Sequence, residues 1–282
     1  MTEVEYNFTR DLIFKLTLQD VPEAAITLAK KFIPDMENLV YNENDFKIDN
    51  PINSKGVNIK STEFDFKFSV STEKSFEYEL QNYKTPYDLK ARILKYYGDL
   101  ISSSFPKAGD YSHKKCYTIW FVGYELFKDD ESIRTFYLKD EFNNRLYDYA
   151  SITIVEFAKI SEEEYNKDVW KKLFITNDIE SLKGVDEVMD EVVKKILDYN
   201  SDEAIQEQLR AEQEWVRGYN SAVNASLAQG IEQGKAEGKA EGLVEGKIEA
   251  NKATAKKLLD LGVDIKIISE STGLTIEEIE KL

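Results

Sequence analysis

The chain has 282 residues, 42% hydrophobic and 12% aromatic, with 37 Lys and Arg against 53 Asp and Glu, for a formal net charge of −16. Taken whole, that acidity argues against nucleic acid, because phosphate binding is driven by Lys and Arg; a single cysteine, Cys116, excludes an internal disulfide, and a single histidine, His113, excludes a His-based metal cluster and a zinc site of Cys and His. The acidic start MTEVEYNFTRD does not read as a secretory signal and no run approaches the ~18 apolar residues of a membrane span, so a soluble cytoplasmic protein without membrane contact is expected.

Residues 8–33 have helical spacing broken at Asp20 and Pro22, which predicts two helices, TRDLIFKLTLQ and PEAAITLAKKFI. Turn residues dominate 34–61, with room for one short strand. EFDFKFSVSTEKSFEYELQ, residues 63–81, then alternates. Phe64, Phe66, Phe68 and Val70, and again Phe76, Tyr78 and Leu80, are interleaved with Asp65, Lys67, Ser69, Glu77, Glu79 and Gln81. Side chains two apart in a strand share a face. A hairpin turning at STEKS with both apolar rows on one face therefore brings Asp65 beside Glu79 or Gln81 on the other. The ordinary account of that polar face is a wet surface with a Lys67–glutamate pair across the strands. The functional account is a cation site, since two carboxylates and a backbone carbonyl suit magnesium or manganese. Residues 55–115 also run against the overall charge, with eleven basic and eight acidic side chains.

Thr85 and Pro86 read as the N-cap and first position of a helix that places Leu89, Ile93, Tyr96, Leu100 and Ile101 on one side. KCYTIWFVGYEL is nearly continuous in apolar residues and predicts a strand buried on both faces; IRTFYL and ASITIVEFA add two more. Cys116 near His113 could form a nucleophile pair, but a buried structural cysteine beside a surface histidine is the favoured reading. The order helix, strands, helix, strands predicts an α/β or α+β domain with a mixed sheet over residues 1–160. Ser161 with Glu164 is a capping signature, opening a helical extension over 161–225. In 226–250, Gly230, Gly234, Gly238, Gly242 and Gly246 recur every fourth residue among helix formers. This reads either as a stripe for close helix approach or as a solvated linker. Residues 251–282 predict three short helices, stopped at Gly262 and Gly273, with Thr275 and Glu278 capping the last.

Several pieces carry a resemblance: Asp65 on one strand with Glu79-Leu80-Gln81 on the next, RDLIFK at 10–15, Arg92 with Tyr96 and Tyr97, AGDYS at 108–112, ITIVEFAKI at 152–160, and the Lys/Ala/Glu/Gly repeat with its KLLDLGVDIKIISESTGLTIEEIEKL ending. In order and spacing they resemble the PD-(D/E)XK nucleases, in particular the branch of recombination-promoting nucleases, or PD-(D/E)XK nuclease family transposases. The resemblance implies a restriction-endonuclease-like α/β core, its mixed sheet flanked by helices, followed by an all-helical C-terminal arm. It implies Asp65, Glu79 and Gln81 as catalytic residues, with Asp65, Glu79 and the Leu80 carbonyl as ligands of Mg2+ or Mn2+. Asp11 is a further acidic candidate beside the metal, or simply the partner of Lys15 one helical turn on. Gln81 stands where the wider superfamily has lysine; it can orient water but brings no positive charge, and Lys67, on the same face, is the candidate to replace it. Arg92, with Lys90 and Lys95 on the same helix, is the candidate DNA contact, and pairing of Arg92 with a carboxylate is the alternative. The function expected is a metal-dependent DNA endonuclease that forms a homodimer or higher oligomer through the C-terminal arm. The alternative is a weak or inactive nuclease fold acting as an oligomeric binding or assembly protein.

Overall fold

The computed structural model describes residues 7–34, 36–51, 65–71, 73–85, 87–105, 114–147 and 150–282. Phe64, Pro86, His113 and the AGDYS turn lie outside the described residues. The chain divides into two compact units, Met1–Leu209 and Arg210–Leu282.

The first unit is built on a six-stranded mixed sheet in the order β1-β2-β3-β4-β6-β5. Helices α1 (Asp11–Asp20) and α2 (Pro22–Phe32) precede it, and Pro22 opens the second as the break at Asp20 predicts. Strands β1 (Phe46–Ile48), β2 (Phe66–Val70) and β3 (Lys74–Gln81) are antiparallel neighbours. Ser71, with φ at 58°, sits in the β2–β3 turn. Helix α3 (Leu89–Ser104) then crosses over to β4 (Lys115–Val122), which runs parallel to β3 and to β6 (Ala150–Glu156). Strand β5 (Ile133–Phe136) closes the far edge antiparallel to β6.

The start of α3 differs from the sequence expectation. Its N-cap is Asp88, whose side chain accepts from the Lys90 amide at 2.9 Å, while Thr85 Oγ1 bonds the Tyr87 carbonyl in the approach to the helix. An aspartate caps as well as a threonine, and the later cap prevails here.

Alternation along the strands sorts side chains onto two faces. One face carries Phe66, Phe68, Phe76, Tyr78, Leu80, Ile119 and Phe121, all buried, and packs with Phe8, Phe14, Leu28, Phe32 and Phe174 in the main core. Residues C-terminal to the sheet join that core. Helices α4 (Glu162–Lys167, capped by the Ser161–Glu164 box), α5 (Val169–Lys172) and α6 (Glu187–Ser201) follow, and Trp170, Leu173, Val192, Val193 and Ile196 are buried in it. The other face meets α3 through Leu89, Ile93, Trp120, Val122, Ile152 and Ile154. A wet polar face was expected opposite the phenylalanines. Instead Ser69, Ser75, Glu77 and Glu79 are buried there, because the parallel neighbour β4 and the crossover helix cover what an isolated hairpin would leave in water.

Helix α7 (Glu203–Asp260) is 58 residues long. The expected first short helix of the C-terminal segment is its last turns. In the second unit those turns, α8 (Ile265–Thr272) and α9 (Ile276–Ile279) bury Ala255, Ile268, Leu274 and Ile279. Gly273 ends α8 in the left-handed conformation at φ 71°, and Thr275 and Glu278 form a reciprocal capping box. The described helices include none long and apolar enough to cross a membrane.

Candidate active site

The register of the hairpin places the candidate residues. Phe66 stands opposite Tyr78 and Lys67 opposite Glu77, so Asp65, one residue before β2, reaches Glu79. The Asp65 amide donates to Glu79 Oε1 at 2.8 Å, and the Leu80 amide donates to Asp65 Oδ2 at 2.9 Å. The Gln81 carbonyl accepts from Gly123 N on the β4 side. Strand alternation therefore turns the amide and carbonyl of Leu80 toward Asp65. The two carboxylates thus meet at the Asp65–Leu80 end of the β2–β3 pair, and the Leu80 carbonyl faces the same side.

Two cations close this group from opposite sides. Lys15, from α1, lies 3.0 Å from Asp65 Oδ1. Arg92, from α3, lies 3.3 Å from Glu79 Oε2 and donates to Gln81 Oε1 at 3.1 Å. The guanidinium is held in that fork by the rings of Tyr96 and Trp120, at 4.9 and 5.6 Å from their centroids. The Arg92-Tyr96 part of the sequence motif is therefore one physical unit: an arginine and the ring beneath it. Tyr97 is partly buried, and burial lifts its hydroxyl to about 12.

Electrostatics follow from burial. Glu79 is 2% exposed. Burial first, and the neighbouring Asp65 charge second, hold its carboxyl well above the usual carboxylate range; Arg92 offsets part of this. Burial alone would lower the Lys15 ammonium, but Asp65, Asp11 and Glu79 outweigh it and the net direction is up. Asp11 therefore acts here through charge on Lys15, while the Lys15 ammonium itself goes to Asp65.

The remaining candidates are less central. Gln81 is engaged at both ends of its amide: its Nε2 donates to the Tyr83 carbonyl at 2.6 Å and its Oε1 accepts from Arg92. It braces Arg92 in this structure. Lys67 sends its ammonium toward Ser103 Oγ, 3.5 Å away, near the C-terminal end of α3. That is the end remote from Arg92, so the structure does not bring Lys67 to the Glu79–Gln81 end. Lys90 lies over the Phe127 ring at 4.3 Å, and exposed Lys95 pairs with Asp99 at 2.7 Å, one turn along α3.

Three residues at this site escaped sequence reasoning. Lys15 read as the i,i+4 partner of Asp11. Glu77 read as a solvent-facing neighbour of Lys67; it is fully buried, neither carboxylate oxygen has a hydrogen-bond partner among the described residues, and burial lifts it to about 8 against the opposing charge of Lys67. Gly123 follows β4, where an added Cβ would come within 2.8 Å of the Phe157 ring and 3.1 Å of the Asn82 carbonyl, so only glycine lets β4 end against the segment after Gln81.

Among the described residues no group of three His, Cys, Asp or Glu side chains is arranged to hold a metal ion. The donor set here is two carboxylates with a carbonyl. It nonetheless fits a hard divalent cation: every donor is oxygen, and two cationic side chains lie against the carboxylates as an ion would.

No curated protein and no solved structure is significantly similar to the chain. The family model of the PD-(D/E)XK nuclease family transposases matches residues 38–225, about two thirds of the sequence, and the chain belongs to that family.

Proposed function

We propose that this member of the PD-(D/E)XK nuclease family transposases is a metal-dependent DNA endonuclease whose site is the Asp65–Glu79 pair. The observation that supports this most is the meeting of Asp65 and Glu79: two carboxylates joined through each other's strand amides, one of them only 2% exposed, form a pair that a cation would stabilise. Asp65, Glu79 and the Leu80 carbonyl would hold Mg2+ or Mn2+, which supplies an activated water and a clamp on a phosphoryl oxygen when bound. The chain's own residues do the rest. The Leu80 amide fixes the Asp65 carboxylate, and the Asp65 amide fixes that of Glu79. Arg92, gripped by Tyr96, Trp120 and Gln81, keeps Glu79 oriented. Calorimetric titration of Mn2+ into the wild type and Asp65→Asn tests the assignment of ligands. Binding by the wild type alone is expected; equal binding by both would remove Asp65 from the site.

We also propose that the protein pairs with a second copy through α7. The five glycines sit on a helix whose surface is exposed, and a Cβ added at any of them would meet nothing within 4 Å. On a helix of ~3.6 residues per turn, the residues just after each glycine and those just before it flank the stripe on opposite sides. The first flank carries Lys235, Lys239 and Lys247, the second Glu237, Glu241, Glu245 and Glu249. A parallel two-fold pair sets each lysine flank against the partner's glutamate flank, whereas an antiparallel pair sets like against like. The charge pattern thus favours the parallel arrangement.

A further inference from the structure

Hydrolysis of a phosphodiester gathers negative charge on the phosphoryl oxygens, and a site that accelerates it needs positive charge directed at them. This site is built largely of acids. Glu77, Glu79 and Asp65 lie on neighbouring strand positions, and Gln81, next along β3, is neutral. Its amide already bonds Tyr83 at one end and Arg92 at the other. Arg92 is in turn committed to Glu79 and Gln81 and is sandwiched against two rings. Lys67 reaches toward Ser103 at the other end of α3.

Lys15 differs from all of these. It projects from α1, a helix anchored in the core by Ile13, Phe14, Leu16 and Leu18, so its backbone is fixed. Its side chain is 17% exposed and that of Asp65 15%, so the pair stands at the rim, neither wholly dry nor freely solvated. An ammonium has three donors, and the ion pair with Asp65 Oδ1 uses one. Flexible and compact, a lysine head can move from a carboxylate to a phosphoryl oxygen without disturbing the backbone that carries it.

Resting on the nuclease reading above, we propose that Lys15 is the residue that supplies positive charge to the scissile phosphate. It reaches the site from the first helix, where β3 offers only Gln81. In the protein as it stands Lys15 neutralises Asp65; with a divalent cation on the carboxylates, its charge is directed to the substrate.

The test uses the full chain, a supercoiled plasmid and Mn2+, comparing wild type with Lys15→Met and Lys15→Arg. Mn2+ calorimetry and thermal melting are run on the same preparations. Lys15→Met is expected to lower the rate of nicking at saturating Mn2+ by about 10²–10³-fold, to bind Mn2+ no more weakly than wild type, and to stay folded. Lys15→Arg is expected to recover at least about tenfold of the lost rate. Should the methionine variant fail to fold, Lys15→Gln, which keeps a polar partner for Asp65, takes its place in the comparison. A neutral variant that nicks at the wild-type rate overturns the proposal. So does one that loses Mn2+ binding along with nicking, which would leave Lys15 merely a support for Asp65. In both cases the nuclease reading stands. A wild type that binds Mn2+ but does not nick removes the nuclease reading and this proposal together.

Discussion

At the scale of single residues, Glu77 gives the sharpest consequence of burial. Its carboxyl is lifted to about 8, so the folded protein holds a proton there that the unfolded chain releases at ordinary carboxylate pH. Between that pH and about 8 the native state binds more protons than the unfolded one, and stability must fall as pH rises. Glu77→Gln removes this contribution. Urea denaturation from pH 5 to 9 should show the variant gaining stability over wild type progressively, by a few kcal/mol at the alkaline end; an unchanged pH dependence would contradict the burial described. The same residue marks what a single sequence does not say. Alternation sorted Glu77 correctly onto the face with Glu79 and opposite Lys67, but whether that face is wet depends on α3 and β4, which lie at long sequence distance. Lys15 is legible for the same reason only as a helical neighbour of Asp11; its meeting with Asp65 spans 50 residues of chain. Asp65 and Glu79 were legible because a two-residue period and a tight hairpin leave their pairing little freedom.

At the scale of elements, the predicted order of helices and strands matches the sheet and its flanking helices, and the mixed character follows from one feature. A 16-residue helix between β3 and β4 permits a parallel pair, while the short turn between β2 and β3 permits only an antiparallel one. The α3 start was misplaced by three residues because Thr85-Pro86 and Asp88 are both good caps and only tertiary contacts choose between them. The glycine-rich helix α7 carries a prediction of its own. In the full chain, Gly238→Leu should shift sedimentation from dimer toward monomer, because an isobutyl group would hold apart two backbones that glycine lets approach. A wild type that sediments as a monomer at micromolar concentration would refute the pairing. The capping box at α9 is a local device on an exposed helix end, and Thr275→Ala should cost the C-terminal unit about 1 kcal/mol, read from its own melting transition.

At the scale of the whole molecule, charge and the proposed function pull in different directions. A chain of net charge −16 repels DNA at long range, and its locally basic stretch, residues 55–115, must work against that field. Binding and cleavage should therefore weaken steeply between about 50 and 200 mM salt; insensitivity to salt over that range would contradict a phosphate-driven interaction. The measurement that bears most directly on the central claim is plasmid nicking by the purified full chain at low salt with Mg2+ or Mn2+, beside Asp65→Ala shown to be folded by its melting transition. Metal-dependent nicking by the wild type, abolished in the variant, is the result the carboxylate pair predicts. Nicking that survives the loss of Asp65, or its absence from both proteins, would contradict it.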